Sequence, residues 1–249
     1  MHKRLVLLAL ATAPGIWVAA PRTTENGVKP TEVLIGQCTA LTSPAAGLGT
    51  GVQLGLRAAL EEANEKGGIS GRKITLKSLD DAYEPEKCVE CTSKLIEEEG
   101  VFALAGYVGT PTAKVAMPIV QEMKVPLIGA FTGAMLLQDP VQRYVFNIRA
   151  SYDDETEALV QYLTKADAKK IAVFYQNDSF EQAGLSGLDK ALTKRKMAVA
   201  AKGSFERNTM AVKTGLAAVM AAEPDAVVMV GPYKISQRQS SCARRVLLA

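Results

Sequence analysis

Histidine is almost missing from this sequence: the one imidazole is His2. If the N-terminal segment is removed, as its pattern suggests, none remains for a catalytic triad, a proton shuttle or a metal site. A basic surplus is missing as well. Lys and Arg number 29 against 26 Asp and Glu, and two of the basic residues, Lys3 and Arg4, sit in that same segment. No Lys/Arg cluster is interleaved with aromatics, so the electrostatic footprint that a phosphate backbone demands is lacking and nucleic acid is not an expected partner. Cysteines number four, Cys38, Cys88, Cys91 and Cys242, too few and too unpatterned to staple a chain of 249 residues. The core must therefore hold the fold. With 48% apolar residues and 22% charge the chain is globular, with enough apolar material for one large core or two modest ones.

What is present begins with Met1-His2-Lys3-Arg4, followed by the apolar run Leu5 to Leu10 and then Ile16, Trp17, Val18, Ala19 and Ala20. Residues 1–20 resemble a secretory signal peptide. Pro14 and Gly15 break the stretch, which is short of the roughly 20 apolar residues a membrane span needs; an N-terminal anchor helix is the alternative. No cysteine lies near the junction, so lipid attachment is not expected.

From Thr31 onward short apolar runs alternate with segments of helical period. Strands are expected at Val33–Thr39, Ile74–Leu79, Val101–Val108 and Pro126–Ala130. Helices are expected through Val52, Leu56, Ala59, Leu60 and Ala63, which share one face, with a stop at Gly67-Gly68; at Pro85–Glu99; and around Val115 to Met123. A second series follows: strands Tyr144–Arg149, Ile171–Gln176, Ala198–Phe205 and Ala226–Val230, with helices Asp153–Ala166, Glu181–Arg195 and Thr209–Ala222. Strands that are continuously apolar belong to parallel sheets covered on both faces. The reading is α/β, with two doubly wound lobes at 30–146 and 147–233. Residues 234–249 form an atypical tail, in which the run Lys234 to Arg245 shows no clear stripe where the rhythm calls for a helix.

Chemistry-bearing motifs are few. Gly47, Gly49 and Gly51 recur at every second position, which is neither the dinucleotide fingerprint nor the phosphate loop. Cys88 and Cys91 make a C-x-x-C pair, which raises thioredoxin-like redox chemistry; the plainer reading is two small buried residues or a local disulfide in a helix. A zinc site needs a second pair in register, which Cys38 and Cys242 do not supply, so no metal and no cofactor is expected. More telling are the small and hydroxyl residues at the carboxyl ends of strands, where open parallel sheets bind ligands. These are Ser43 with the glycine loop, Gly109-Thr110-Pro111-Thr112, and Phe131-Thr132-Gly133-Ala134. Next to helix N-termini they would cradle a carboxylate; the alternative is that Thr110, Thr112 and Thr132 are ordinary helix caps.

Taken in order, Ile35-Gly36-Gln37 with Thr42-Ser43-Pro44, Ala63-Asn64-Glu65-Lys66-Gly67-Gly68-Ile69, Asp80-Asp81 with Pro85, Pro126-Leu127-Ile128-Gly129 and Ile171-Ala172-Val173-Phe174-Tyr175 resemble the leucine/isoleucine/valine-binding family of ABC-transporter proteins. The resemblance runs from about residue 31 to Tyr233. It implies a type I periplasmic binding protein, a two-lobed clamp that closes on an amino-acid-like ligand and docks on a membrane permease. It also implies a periplasmic, monomeric and non-enzymatic protein. In the family the ligand's carboxylate is held at positions that here are Thr110 and the Thr132–Ala134 loop. Leu48 would help cover the ligand, Phe180 and Tyr233 would supply aromatic walls, and Tyr152 is a further candidate. Family members run well over a hundred residues longer, through a return to the first lobe and an acidic residue that meets the ligand's ammonium. The residues after Lys234 do not resemble the helix expected there, and a truncated product is the expectation.

Two other classes of function stand beside this one. An enzyme acting on a small acid would need a base, which without histidine falls to Asp80-Asp81, residues that otherwise read as strand-end turns. A ligand-sensing half of a receptor would share the fold; a repressor would open on a basic helix-turn-helix, which is absent.

Overall fold

A computed structural model describes residues 26–232 and the backbone of 246–248. The signal-peptide reading at 1–20, Tyr233 and most of the 234–249 tail fall outside these residues. The described chain builds two parallel sheets. In the first, β1 (Glu32–Thr39), β2 (Lys73–Asp80), β3 (Ala103–Ala105), β4 (Leu127–Ile128) and β5 (Val145–Phe146) lie in the order β2-β1-β3-β4-β5. In the second, β6 (Ile171–Gln176), β7 (Lys202–Phe205), β8 (Ala226–Val230) and β9 (Val246–Leu248) lie in the order β7-β6-β8-β9. Every pairing within both sheets is parallel. The helices are α1 (Ala46–Glu65), α2 (Pro85–Ser93) continued by a π turn over Lys94–Glu98, α3 (Thr110–Met123), α4 (Tyr152–Lys165), α5 (Ser179–Thr193) and α6 (Lys213–Met220).

The chain is thus an α/β fold of two parallel sheets, as expected, with the strand runs buried as a covered parallel sheet requires. β6 and β8 show the pattern most fully, being buried at nearly every position. One face of β6 and β8, through Ile171, Val173, Val228 and Val230, packs on Val160 and Leu163 of α4 and Leu188 and Leu192 of α5. The other face carries Ala172, Phe174, Val227 and Met229, with Val219 of α6 behind them, and the Phe174 and Phe205 rings stack 5.2 Å apart. In the first lobe Leu104 and Leu127 meet Ala113, Ala116 and Val120 of α3 and Cys88, Cys91 and Leu95 of the α2 segment.

Four strands are shorter than the sequence expectation: besides the two described next, Pro126–Ala130 is a ladder strand only over Leu127–Ile128 and Tyr144–Arg149 only over Val145–Phe146. The run expected from Val101 to Val108 is a ladder strand only over Ala103–Ala105. Gly106 takes φ +65°, and a Cβ there would press within 2.8 Å of Leu56 and Val52 of α1, so the chain turns out of the ladder at a residue that admits both. It rejoins β4's extension only through a bridge between Val108 and Phe131. The strand expected over Ala198–Phe205 begins at Lys202. Beyond the run Lys234 to Arg245, Val246–Leu248 pairs with β8 as β9. One surface feature stands out. The cross-strand partners Ile128 and Phe146 are 41% and 51% exposed, and Ile148 beside them is 79% exposed, so the outer part of this sheet face is bare and apolar.

Candidate functional site

The carboxyl ends of the strands open on a cavity of about 240 Å³ between the two lobes. Its wall takes Leu48, Tyr83, Val108, Gly109, Thr110 and Phe131 from the first lobe and Tyr152, Phe180, Gly231 and Pro232 from the second, with Arg149 at the crossing. Four of these residues, Leu48, Thr110, Tyr152 and Phe180, lie in the first turns of α1, α3, α4 and α5 respectively. Four helix N-termini therefore converge on one space. Each presents amides without intrahelical partners and a partial positive charge.

Local sequence explains how each side chain is set. Gly109, at φ +100° and ψ +152°, turns the chain from the β3 extension into α3. A Cβ on it would lie 2.1 Å from the Tyr83 ring, so the absence of a side chain lets Tyr83 lie across the loop. Thr110 follows as the first helical residue, and its hydroxyl meets that of Thr132 at 2.6 Å. The Thr132 oxygen also accepts from the Ala134 N–H at 3.2 Å. Gly133 lets Tyr152 approach: its carbonyl accepts from the Tyr152 N–H at 2.8 Å. Ser151 and Asp154 form a capping box that fixes the start of α4. Asp178 caps α5 by accepting from the Phe180 N–H at 2.8 Å.

The cavity is apolar along its walls and polar at one end. Burial pushes the Tyr152 phenol up, while hydrogen bonding with Thr132, the Arg149 charge, and hydrogen bonding with the Gly133 N–H and Thr110 offset part of that rise. Three hydroxyls and a backbone amide thus gather at that end. Tyr152 stacks on Phe180 with ring centroids 5.3 Å apart. The Arg149 guanidinium lies 5.4 Å from both the Phe131 and Tyr152 ring centroids and pairs with Glu155.

Of the residues singled out in the sequence, Leu48, Thr110, Phe131, Tyr152 and Phe180 line the cavity, and Thr132, Gly133 and Ala134 stand directly behind Thr110 and Tyr152. Ser43 is not in the wall; its hydroxyl accepts from the Ala45 N–H at 3.3 Å within its own loop. Tyr233 lies outside the described residues, although its neighbours Gly231 and Pro232 line the cavity. The capping alternative for the threonines does not describe α3. That helix has no side-chain cap, and Thr112 instead donates back to the Val108 carbonyl at 2.6 Å. Sequence reasoning missed Tyr83 and Arg149. Both sit just past the carboxyl end of a strand, β2 and β5, which is the signal that had singled out the other loops.

Asp80 and Asp81 act as turn residues. Asp80 Oδ1 accepts from the N–H groups of Leu41, Thr42 and Ala82 at 2.8, 3.2 and 2.9 Å, tying the loop after β1 to the turn after β2. Asp81 Oδ1 accepts from the Tyr83 N–H at 2.8 Å. The turn they build reaches the other lobe. Gln176 donates to the Tyr83 hydroxyl at 3.4 Å, Asn208 donates to the Ala82 carbonyl at 3.1 Å and to Glu84 at 2.7 Å, and Arg207 donates to Glu84 at 2.8 Å.

Comparison with known proteins agrees with this picture. Residues 32–234 match the family model described as periplasmic binding protein. The chain is 29% identical over 164 residues to the Leu/Ile/Val-binding protein BraC3 of Rhizobium johnstonii, covering 64% of this chain and 43% of that one. It is 30% identical over 162 residues to the Leu/Ile/Val-binding protein homolog 3 of Brucella melitensis, with the same coverage of 64% and 43%. A crystal structure of a possible leucine/isoleucine/valine-binding protein from Rhodopirellula baltica superposes with a TM-score of 0.82 at 35% identity, over 91% of this chain and 64% of the other. The chain therefore spans less than half the length of these curated relatives.

Proposed function

Since this chain belongs to the periplasmic binding protein family, we propose that it holds a small carboxylate or amide of amino-acid type between its lobes, outside the cytoplasm, for delivery to an ABC-type importer. The observation that carries the reading is the Thr110–Thr132 hydroxyl pair at the polar end of an otherwise apolar cavity shared by both lobes. Hydroxyls, the Gly133 N–H and the N-terminus of α3 suit a carboxylate. The rings of Phe131, Tyr152 and Phe180 suit an apolar body of several carbons. A cavity of about 240 Å³ matches a single amino acid or a compact organic acid better than a peptide.

Nothing in this reading calls for chemistry on the ligand. Asp80 and Asp81, which an acid–base mechanism would need, are committed to backbone N–H groups. Binding energy would come from contacts that both lobes make to one molecule, and closure would follow from the difference between its affinities for the open and closed forms.

The test is a calorimetric or thermal-shift screen of the protein against the amino acids and a panel of small carboxylates and amides. Binding of at least one of them is expected. Thr110→Ala and Thr132→Ala should each weaken that ligand by roughly tenfold or more, equivalent to about 1.4 kcal/mol. A folded protein that binds none of the panel, or one whose affinity is indifferent to both substitutions, refutes the proposal.

A further inference from the structure

Away from the cleft, the first lobe buries a cluster that ligand capture does not use. Cys38 on β1 is disulfide-bonded to Cys91 on α2, and Cys88, one helical turn before Cys91, is a free buried thiol. The Cys88 Sγ lies 3.8 Å from the Cys38 Sγ. The fully buried Asp81 carboxylate turns its second oxygen, Oδ2, toward the same sulfurs, 3.6 Å from the Cys38 Sγ. The ligand atoms of Cys38, Asp81 and Cys88 all lie within 4.8 Å of one another.

The Cys38–Cys88 and Cys38–Asp81 separations are those of a coordination shell. Tetrahedral zinc holds thiolate sulfur at about 2.3 Å and carboxylate oxygen at about 2.0–2.2 Å, which sets neighbouring sulfurs about 3.8 Å apart and sulfur and oxygen about 3.5 Å apart. Among the described residues no cation bears on Asp81, as one ordinarily does on a buried carboxylate. The charged side chains that bear on Asp81 are Asp80 and Glu84, both anions. The C-x-x-C spacing of Cys88 and Cys91 supplies two ligands from one helix face, as structural metal sites do. The second pair that the sequence spacing does not reveal is assembled by the fold, from Cys38 on β1 and Asp81 at the end of β2.

We propose that the reduced protein binds one thiophilic divalent cation, with zinc the type case, between Cys38, Cys88, Cys91 and Asp81. The disulfide withholds the site until a dithiol reductant transfers two electrons and two protons to Cys38–Cys91 and is itself oxidised to a disulfide. The cation then displaces the thiol protons to solvent, giving three sulfur ligands and one oxygen. The site would be redox-gated and separate from the cleft wall, while sharing Asp81 with the turn that carries Tyr83.

The experiment uses the whole chain, reduced with dithiothreitol and desalted without air, and titrated with Co²⁺ as the spectroscopic probe. One equivalent is expected to raise a thiolate-to-cobalt charge-transfer band in the near ultraviolet together with the intense visible bands of tetrahedral cobalt. Zn²⁺ should bleach both, and the oxidised protein should show neither. Cys88→Ser should weaken binding at least tenfold while leaving the Cys38–Cys91 disulfide able to form. Circular dichroism follows the fold throughout. A reduced protein that is folded and shows no such bands, or binding that Cys88→Ser leaves unchanged, overturns the proposal. So does a reduced chain that is unfolded and stays unfolded when Co²⁺ or Zn²⁺ is added; refolding on addition of metal supports it.

Discussion

Arg207 donates to Glu84 at 2.8 Å across 123 positions of sequence, from the second lobe to the turn that follows β2 in the first. Asn208 reaches the other oxygen of the same carboxylate at 2.7 Å. Burial raises the Glu84 carboxyl, but the hydrogen bonds from Asn208 and Arg207 and the Arg207 charge together outweigh it and hold it below the usual glutamate range.

The sign of the pH dependence follows. A carboxyl depressed by folding stabilises fully above its unfolded value of about 4.3 and loses that contribution as pH falls through its lower folded value. Acidification below about pH 4 should therefore loosen the lobes, seen as a rise in the radius of gyration by small-angle scattering. Both partners are partly exposed, so solvent screening limits the contact to about 0.5–1 kcal/mol. Glu84→Gln should lower the melting temperature by about 1–4 °C at pH 7 and flatten the scattering profile between pH 3 and 5.

The Thr110–Thr132 hydroxyl pair separates stability from binding. Thr110→Val alone leaves the buried Thr132 hydroxyl short of a partner, and should cost about 1–3 kcal/mol in urea unfolding. Replacing both threonines by valine removes the polar pair at nearly constant shape and should cost less than the two single changes added together. Ligand affinity should be lost in the double variant all the same.

Gly109→Ala meets two obstacles, a conformation that is essentially glycine's alone and the Tyr83 ring 2.1 Å from the new carbon. A loss of about 2–4 kcal/mol by chemical denaturation is expected. Adding Tyr83→Ala should recover only part of it, since the backbone strain remains when the clash is gone.

Phe180→Ala removes one aromatic wall, the partner of Tyr152, from the second-lobe side of the cavity. Affinity for a ligand with an apolar body should fall about tenfold, or roughly 1.4 kcal/mol, in calorimetry. Affinity for a small anion with no such body should change little.

The α/β rhythm was legible because covered parallel strands must be continuously apolar. The runs Ile171–Gln176 and Ala226–Val230 end in the structure at the residues where the sequence pattern stops. The Val101–Val108 strand is overextended on the same evidence, because hydrophobicity continues past Gly106 while the hydrogen-bond ladder does not. At the cavity, Thr110 and Phe131 were visible as strand-end loop residues. Tyr83 carries the same strand-end signal, but that its ring lies across the cleft depends on the space left at Gly109, a relation between residues 26 positions apart that periodicity does not encode. Arg149 escaped for a similar reason: its place is set by the rings of Phe131 and Tyr152 and by Glu155. The C-x-x-C pair read as two small buried residues or a local disulfide; both residues are buried, and the bond is made by tertiary structure, between Cys38 and Cys91.

The bare pair Ile128 and Phe146, with Ile148 beside it, has a practical consequence. β5 ends its sheet in the described residues, so unpaired backbone groups border a row of greasy side chains. Such a border templates edge-to-edge stacking between molecules. Light scattering that climbs with protein concentration, strong fluorescence of an amphiphilic naphthalene dye, and recovery of monodispersity on Phe146→Lys are how this chain should behave in the tube.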